Sequence, residues 1–327
     1  LSGAELATPF PRLTYAEAMS RFGTDKPDVR FGMELVDVNE VFAASEFRAF
    51  RGTVDGGGLV AGINAGDLGL SRGGLDALVE KATDLGAKGL VWLVVQEDGS
   101  LRSPVAKFLS ETEIDGLKAA FGARAGDTLL LVADNAALVR RILGQLRLEL
   151  GRPEGHADLH FLWVTEFPVF EVDPDGNLHP AHHPFTSPHD VTEMEQHPER
   201  ALSKAYDLVL NGSELGSGSV RIHDPEIQRR VFDVLGILPD EAERRFGWFI
   251  RALRYGTPPH AGFAVGIDRL VSIIRNEPNI REVIPFPKTQ TGLDPLTGSP
   301  TQVSDVQLSE LGIDLRPEVR RRLEEED

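Results

Sequence analysis

The 327-residue chain contains no cysteine. Disulfides and thiolate metal sites are therefore excluded, and the composition suits a cytoplasmic protein. Nor is there an apolar run of the roughly 20 residues that a membrane helix requires, so no membrane association is expected. The opening Leu1-Ser2-Gly3-Ala4-Glu5 has neither an initiator Met nor the charged and apolar regions of a signal peptide. The expectation is that the chain begins inside a longer gene product. Basic residues are in short supply: 34 Lys and Arg face 51 Asp and Glu, a net charge of −17. Nucleic-acid binders are usually basic over their contact surface. That balance argues against broad, nonspecific RNA binding but leaves room for a local basic groove or a further RNA-contacting domain. No internal repeat is visible.

What is present is a globular composition, 41% hydrophobic and 26% charged. The length fits one large domain or two medium ones. The most informative segment runs from Ala205 to Arg221. Two apolar runs flank Asn211-Gly212, the strongest short-range hairpin signal. With that pair at the turn, Leu210 faces Ser213 and Val209 faces Glu214. Alternation then puts Asp207 on the face of Val209, and so on the face of Glu214. Two carboxylates on one face repel unless a cation joins them, and hard oxygen ligands suit Mg²⁺. Gly216-Ser217-Gly218-Ser219 follows, where backbone can approach a flat ligand. Arg221 adds a fork for a carboxylate or phosphate. Simple alternation places Arg221 on the wrong face, and a bulge in the Gly/Ser stretch would return it. Metal, flat ligand and anion in one hairpin read as a nucleotide-using site. A lone solvent-exposed hairpin is the plainer alternative, but the flanking strands are apolar enough to be buried.

Residues 1–32 form a lead containing one helix, 15–22, with Thr14 as N-cap and Glu17 at the capping-box position. Residues 33–150 read as a separate α+β unit. Its strand patterns lie at 89–95 and 128–133, and its helical patterns at 74–85, 114–121 and 136–150. Beyond 151 the texture changes. A central strand is expected over 161–167, then the hairpin, helices near 225–235 and 240–253, a strand over 262–267 and a helix over 268–275. Residues 316–327 form a charge run, expected as a solvated or frayed helix.

His182-His183-Pro184-Phe185 lies in a loop. Adjacent histidines cannot share a strand or helix face, so a joint metal site is disfavoured. The plainer reading is a pair of loop histidines hydrogen-bonded to backbone; the functional one is a substrate or nucleotide contact, with one ring inward and one packed. Gly266-Ile267-Asp268-Arg269 puts an arginine in the first turn of a helix, where unpaired N–H groups favour anions. The plainer reading pairs Arg269 with Asp268 or Glu282.

These residues together resemble the bacterial-type aspartyl-tRNA synthetases, class II aminoacyl-tRNA synthetases, over nearly the whole chain. The resemblance rests on Pro11-Arg12-Leu13-Thr14-Tyr15-Ala16-Glu17-Ala18, Asp25-Lys26-Pro27-Asp28, Ala181-His182-His183-Pro184-Phe185-Thr186-Ser187-Pro188 and Gly218-Ser219-Val220-Arg221-Ile222-His223. Tyr255-Gly256-Thr257-Pro258-Pro259-His260-Ala261-Gly262, leading into Asp268-Arg269-Leu270, looks like motif 3. The implied fold is α+β: part of a class II antiparallel-sheet catalytic domain (1–32 and 151–327), interrupted by a bacterial insertion domain (33–150).

The resemblance also implies roles. Arg221 would grip the side-chain carboxylate of L-aspartate, with His182, His183 and Ser219 lining that pocket. Asp207 and Glu214 would hold Mg²⁺ on ATP. Arg269 would meet the γ-phosphate and pack on adenine, and Gly216, Ser217, Gly218, Gly262, Gly266 and Asp268 would surround the nucleotide. Ser217 stands where the family usually has the middle of three glycines. The implied reaction activates aspartate with ATP and transfers it to tRNA for aspartate, with tRNA for asparagine an open second acceptor, in a homodimer. Motifs 1 and 2 and the anticodon-binding barrel have no counterpart in these residues, so the chain alone is expected to be inactive. The alternatives are an asparagine synthetase-like ligase that needs no tRNA, and a non-catalytic binding fragment.

Overall fold

The structure, a computed structural model, describes residues 6–153 and 158–326. The reading of residues 1–5 lies outside the described residues, as does Asp327 at the end of the charge run. By contact density the chain divides into two compact units, Leu1–Leu270 and Val271–Asp327.

The first unit begins with strand β1 (Arg12–Thr14) and helix α1 (Tyr15–Phe22). The expected capping box is formed: Glu17 N donates to Thr14 Oγ1, and Thr14 N to Glu17 Oε2. Then follow β2 (Val36–Asp37), α2 (Asn39–Phe42), α3 (Arg48–Asp55), β3 (Leu59–Asn64), α4 (Arg72–Asp84), β4 (Val91–Val95), β5 (Leu101–Arg102), α5 (Glu111–Phe121), β6 (Thr128–Asp134) and α6 (Ala136–Gly151). Their five strands form an antiparallel sheet in the order β2-β3-β6-β4-β5. Leu130 and Val132 enter one core with Leu75, Ile142 and Leu146, whereas Leu129 and Leu131 enter another with Phe42, Phe50 and Leu117. Helices thus cover both faces, which is why Thr128-Leu129-Leu130-Leu131-Val132 reads as an unbroken apolar run rather than an alternation.

The remaining strands belong to another sheet: β7 (Phe161–Thr165) and, after the small β8 (Phe170–Val172) and β9 (Leu178–Pro180) ribbon and α7 (Val191–Gln196), β10 (Ala205–Leu210) and β11 (Ser213–Val220). Helices α8 (Pro225–Val234) and α9 (Pro239–Leu253) lead to β12 (Ala261–Val265) and α10 (Ile267–Arg275). The order is β1-β7-β10-β11-β12. β1 runs parallel to β7, and the other neighbours are antiparallel. β7 is interior, as expected of the 161–167 stretch, but stops at Thr165, where Glu166 takes a φ of 58° and breaks the ladder. One face of this sheet packs Leu162, Val164, Ala205 and Val209 against Ala18 of α1. The other carries an aromatic cluster, Trp163, Tyr206 and Phe263. Because β1 precedes the first sheet in sequence and β7 follows it, the chain leaves one sheet, builds the other and returns.

Arg147 of α6 fastens that return. Its side chain is fully buried and donates to the carbonyls of Asp28, Phe31, Gly32 and Met33. The guanidinium also lies over the rings of Phe31 (4.0 Å) and Phe22 (4.9 Å). Burial lowers its pKa to about 10.

The second unit contains α11 (Asp305–Glu310), opened by a Ser304/Gln307 capping box, and α12 (Pro317–Glu326), the helix expected of the charge run. No helix among the described residues is long and apolar enough to cross a membrane.

Candidate active site

The hairpin has the turn that Asn211-Gly212 predicts. Both residues have positive φ, 50° and 81°, and Leu210 pairs with Ser213 and Val209 with Glu214. Its tip is not solvated. Asn211 is 1% exposed, its Oδ1 accepts from His160 N (2.9 Å), and its Nδ2 donates to Asp158 O (2.8 Å). Behind it lies Asp28, fully buried, joined to Arg30 at 2.6 Å and to Arg152 at 3.5 Å. Burial opposes ionisation of Asp28, but the bonds from Arg30 outweigh it and hold the pKa below the usual carboxylate range.

The expected bulge exists one residue earlier than predicted. The register shifts between Leu208 and Val209, so Glu214 faces Val209 while Gly216 faces Leu208 and Ser217 faces Asp207. Leu215 is the extra residue, and it is buried at 4% exposure. The reason is packing: an apolar side chain can be taken inward at the bulge, which a serine in the following run would not reward. The consequence is the one anticipated. Asp207, Glu214, Ser217 and Ser219 share a face, and the bulge turns Arg221 toward it.

The bulge also decides the role of the glycines. Gly216 and Gly218 face the opposite, aromatic side. A Cβ at Gly218 would meet Gly262 O at 2.3 Å and Tyr206 Cε2 at 2.5 Å, and one at Gly216 would meet Ala264 O at 2.5 Å and Phe263 Cζ at 2.6 Å. Their smallness is required by close strand packing. Gly262 pairs with Ser219, and its carbonyl accepts from the Tyr206 hydroxyl at 3.0 Å. Gly266 N donates to Leu215 O at 2.8 Å, which starts α10 beside the bulge.

Asp207 is 4% exposed, and its Oδ1 is buried without a hydrogen-bond partner. Its pKa is raised, first by burial and further by the charges of Glu214 and Asp25. Asp25, in the turn after α1, is thus an electrostatic neighbour that the hairpin pattern alone could not reveal. An acceptor oxygen left over on the buried member of an acidic pair fits a hard divalent cation, which takes one or two carboxylates with substrate phosphates as its other ligands. No group of three or more His, Asp or Glu side chains among the described residues could hold a metal by itself.

The His182-His183 loop runs beside the end of β11. Ile222 N donates to Phe185 O and Ser187 N to Val220 O, while Thr186 bridges Arg221. The two rings differ in their surroundings. His182 lies exposed against Phe167, centroids 4.8 Å apart. His183 is half-buried, its Nδ1 accepts from Phe185 N at 3.2 Å, and Arg221 Nη1 lies against the ring edge, in contact with Nε2 and 3.0 Å from Nδ1. Burial, then the Arg221 charge, then His182 push the His183 pKa down to about 4. The ring is neutral at pH 7, so it does not repel the guanidinium it lies against, and its single unprotonated nitrogen is the acceptor for Phe185 N or for Arg221 Nη1. Behind the loop Gln228, fully buried on α8, donates to Pro184 O at 2.8 Å. Nothing in the sequence singled out Gln228, because its partner is a backbone carbonyl 44 residues away.

Arg269 does sit in the first turn of α10. Its Nη1 donates to the Glu214 carbonyl. Asp268 beside it is exposed. One sheet face therefore gathers a buried carboxylate with one oxygen unpartnered, a second carboxylate, an arginine set against His183 and another arginine in the first turn of α10.

A family model described as tRNA synthetases class II (D, K and N) matches residues 2–290. Aspartate-tRNA(Asp/Asn) ligase of Rubrobacter xylanophilus is 52% identical over 97% of this chain and 54% of its own length. The protein of that name from Syntrophomonas wolfei is 47% identical over 96% and 55%. Aspartate-tRNA ligase of Staphylococcus epidermidis is 45% identical over 97% and 55%. The chain spans about half the length of the curated relatives it matches. It belongs to the class II tRNA synthetases (D, K and N), and its two nested sheets are an α+β member of that family.

Proposed function

We propose that the protein carrying this chain joins L-aspartate to ATP, forming aspartyl-adenylate and pyrophosphate, and passes the aspartyl group to the 3′ end of tRNA. The observation that carries this reading is the Arg221–His183 contact on the face that bears Asp207 and Glu214. Identities of 45–52% to proteins named as aspartate-tRNA ligases support the same substrate.

The neutral His183 directs one N–H of Arg221, and the rest of the fork takes the carboxylate of the aspartate side chain as a charge-assisted, bidentate pair. The α-carboxylate of aspartate attacks the α-phosphorus, and pyrophosphate leaves. No side chain acts as nucleophile, so rate enhancement comes from positioning and charge neutralisation. Asp207 and Glu214 would hold Mg²⁺, which neutralises phosphate charge when bound. Arg269, carried by the N-terminus of α10, offers a cation for the terminal phosphate and a plane for the base. Ser217 and Ser219, on the carboxylate side, offer hydroxyls to the substrates. Ser219 is buried with its Oγ unpartnered, a donor in reserve. Gly216 and Gly218 support the site by permitting close strand approach.

The test is aspartate-dependent ATP–pyrophosphate exchange, and aminoacylation of tRNA transcripts for aspartate and for asparagine, in the enzyme at its natural length. Arg221→Lys keeps the charge and loses the fork, so aspartate activation should fall at least about tenfold. Unchanged aspartate kinetics would remove Arg221 from the substrate pocket. A homodimer in the cytoplasm completes the reading, and light scattering of the purified enzyme measures the former.

A further inference from the structure

Helix α9 has two faces. The inner one presents Phe246 and Phe249 to Phe185 of the histidine loop, at centroid distances of 5.4 and 4.7 Å. α9 is thus a wall of the candidate site. On the outer face Arg244, Trp248 and Arg251 recur at spacings of four and three, and Tyr255 continues the stripe just past the helix end. Trp248 is 71% exposed and Tyr255 91%. Between 244 and 255 there are four arginines, Arg244, Arg245, Arg251 and Arg254, and no acidic residue, in a chain of net charge −17. Arg245 and Arg251 pair back to Glu241 and Glu243, whereas the side chains of Arg244 and Arg254 have no ion pair among the described residues.

We propose that this outer face of α9 binds the unpaired 3′ end of tRNA on its way to the site. The proposal rests on the reading of the protein as a tRNA ligase and adds the surface that reading lacks. Charge complementarity selects the partner. Isolated arginines in an acidic surface suit a polyanion, and alternating exposed aromatic rings suit bases without neighbours to stack on. A duplex presents no free base faces, and an acidic protein segment gives no use for rings left open to solvent. The position also fits, because a strand lying along α9 ends one helix thickness from Phe185, Arg221 and His183.

The experiment measures tRNA affinity and aminoacylation beside tRNA-free pyrophosphate exchange, in the enzyme at its natural length. Trp248→Ala should raise KM for tRNA about fivefold or more, leave pyrophosphate exchange unchanged, and be rescued by Trp248→Phe. Arg244→Glu with Arg254→Glu should lower tRNA affinity and flatten its salt dependence by about one to two units of slope. Unaltered tRNA affinity and salt slope in these variants would overturn the proposal. A parallel fall in exchange, or dissociation of an oligomer by light scattering with tRNA affinity intact, would instead assign the face to protein packing and overturn it as well. Absence of exchange in the unaltered enzyme is a different result, which removes the ligase reading itself.

Discussion

Asp207 and His183 are both held away from their ordinary protonation behaviour, in ways that make opposite predictions for stability and activity. The raised pKa of Asp207 means that the folded protein binds its proton more tightly than the unfolded chain does. Stability contributed there is present at low pH and is lost as pH rises through the folded pKa. Asp207→Asn removes the buried charge, so thermal stability should hold or rise while metal-dependent aspartate activation drops. Melting curves with and without Mg²⁺, beside exchange rates, check both halves. A variant that loses stability and keeps activity would contradict the assignment. His183 runs the other way. With its pKa lowered from 6.5 to about 4, the folded state takes up fewer protons than the unfolded chain across that interval. Stability should therefore fall as pH drops from about 6.5 toward 4. His183→Gln should flatten that limb of a stability–pH profile, and aspartate affinity should lose its dependence on acid over the same range.

At the scale of elements, the hairpin β10–β11 makes the site, and its two kinds of glycine do different work. Gly212 needs its φ of 81° and stands with its missing Cβ 3.1 Å from Asp28 Cβ. A valine there would be strained twice, in backbone and in contact, and about 2 kcal/mol or more of stability should be lost in chemical denaturation. Gly218 needs no special dihedral but has no room. Gly218→Ala should push β12 from β11 and lower activity more than stability, since α10 and Arg269 hang from β12. A crystal structure or hydrogen exchange of β12 amides would record the displacement. An unchanged exchange rate with normal kinetics would show that the strands can absorb the methyl group.

At the scale of the whole molecule, the nested sheet raises the question of how an inserted fold is kept in place, and Arg147 supplies part of the answer. It satisfies four carbonyls in the stretch Asp28–Met33 that leads out of the first segment, from a helix that leads back in. Arg147→Met would leave those carbonyls buried without donors, at a cost of about 3 kcal/mol or more. The expected outcome is a lower melting temperature and faster proteolysis between residues 28 and 34. Resistance equal to that of the unaltered chain would mean that water or a shifted backbone replaces the arginine.

The sequence alone determined what depends on neighbours along the chain. Thr14 and Glu17 form a local capping box, Asn211-Gly212 a local turn, and the period of two carried Asp207 and Glu214 to one face once the turn was set. The apolar stretch 128–133 announced a strand, and the grouping of His182-His183, Arg221 and Asp268-Arg269 pointed to class II chemistry. Tertiary structure decided whatever rests on partners far away in the chain. It put the bulge at Leu215 because a core was there to receive that side chain. It turned Gly216 and Gly218 toward Tyr206 and Phe263, and closed the Asn211 tip against Asp158 and His160. The pairing of β1 with β7, parallel strands about 150 residues apart, likewise could not be read locally. Gln228 and Arg147 carry no pattern of their own, and the Asp25-Lys26-Pro27-Asp28 stretch gives no sign that Asp25 lies near Asp207. Each is recruited by a carbonyl or charge that only the folded chain brings near, since side-chain periodicity encodes the direction of a residue but not what lies at the end of it.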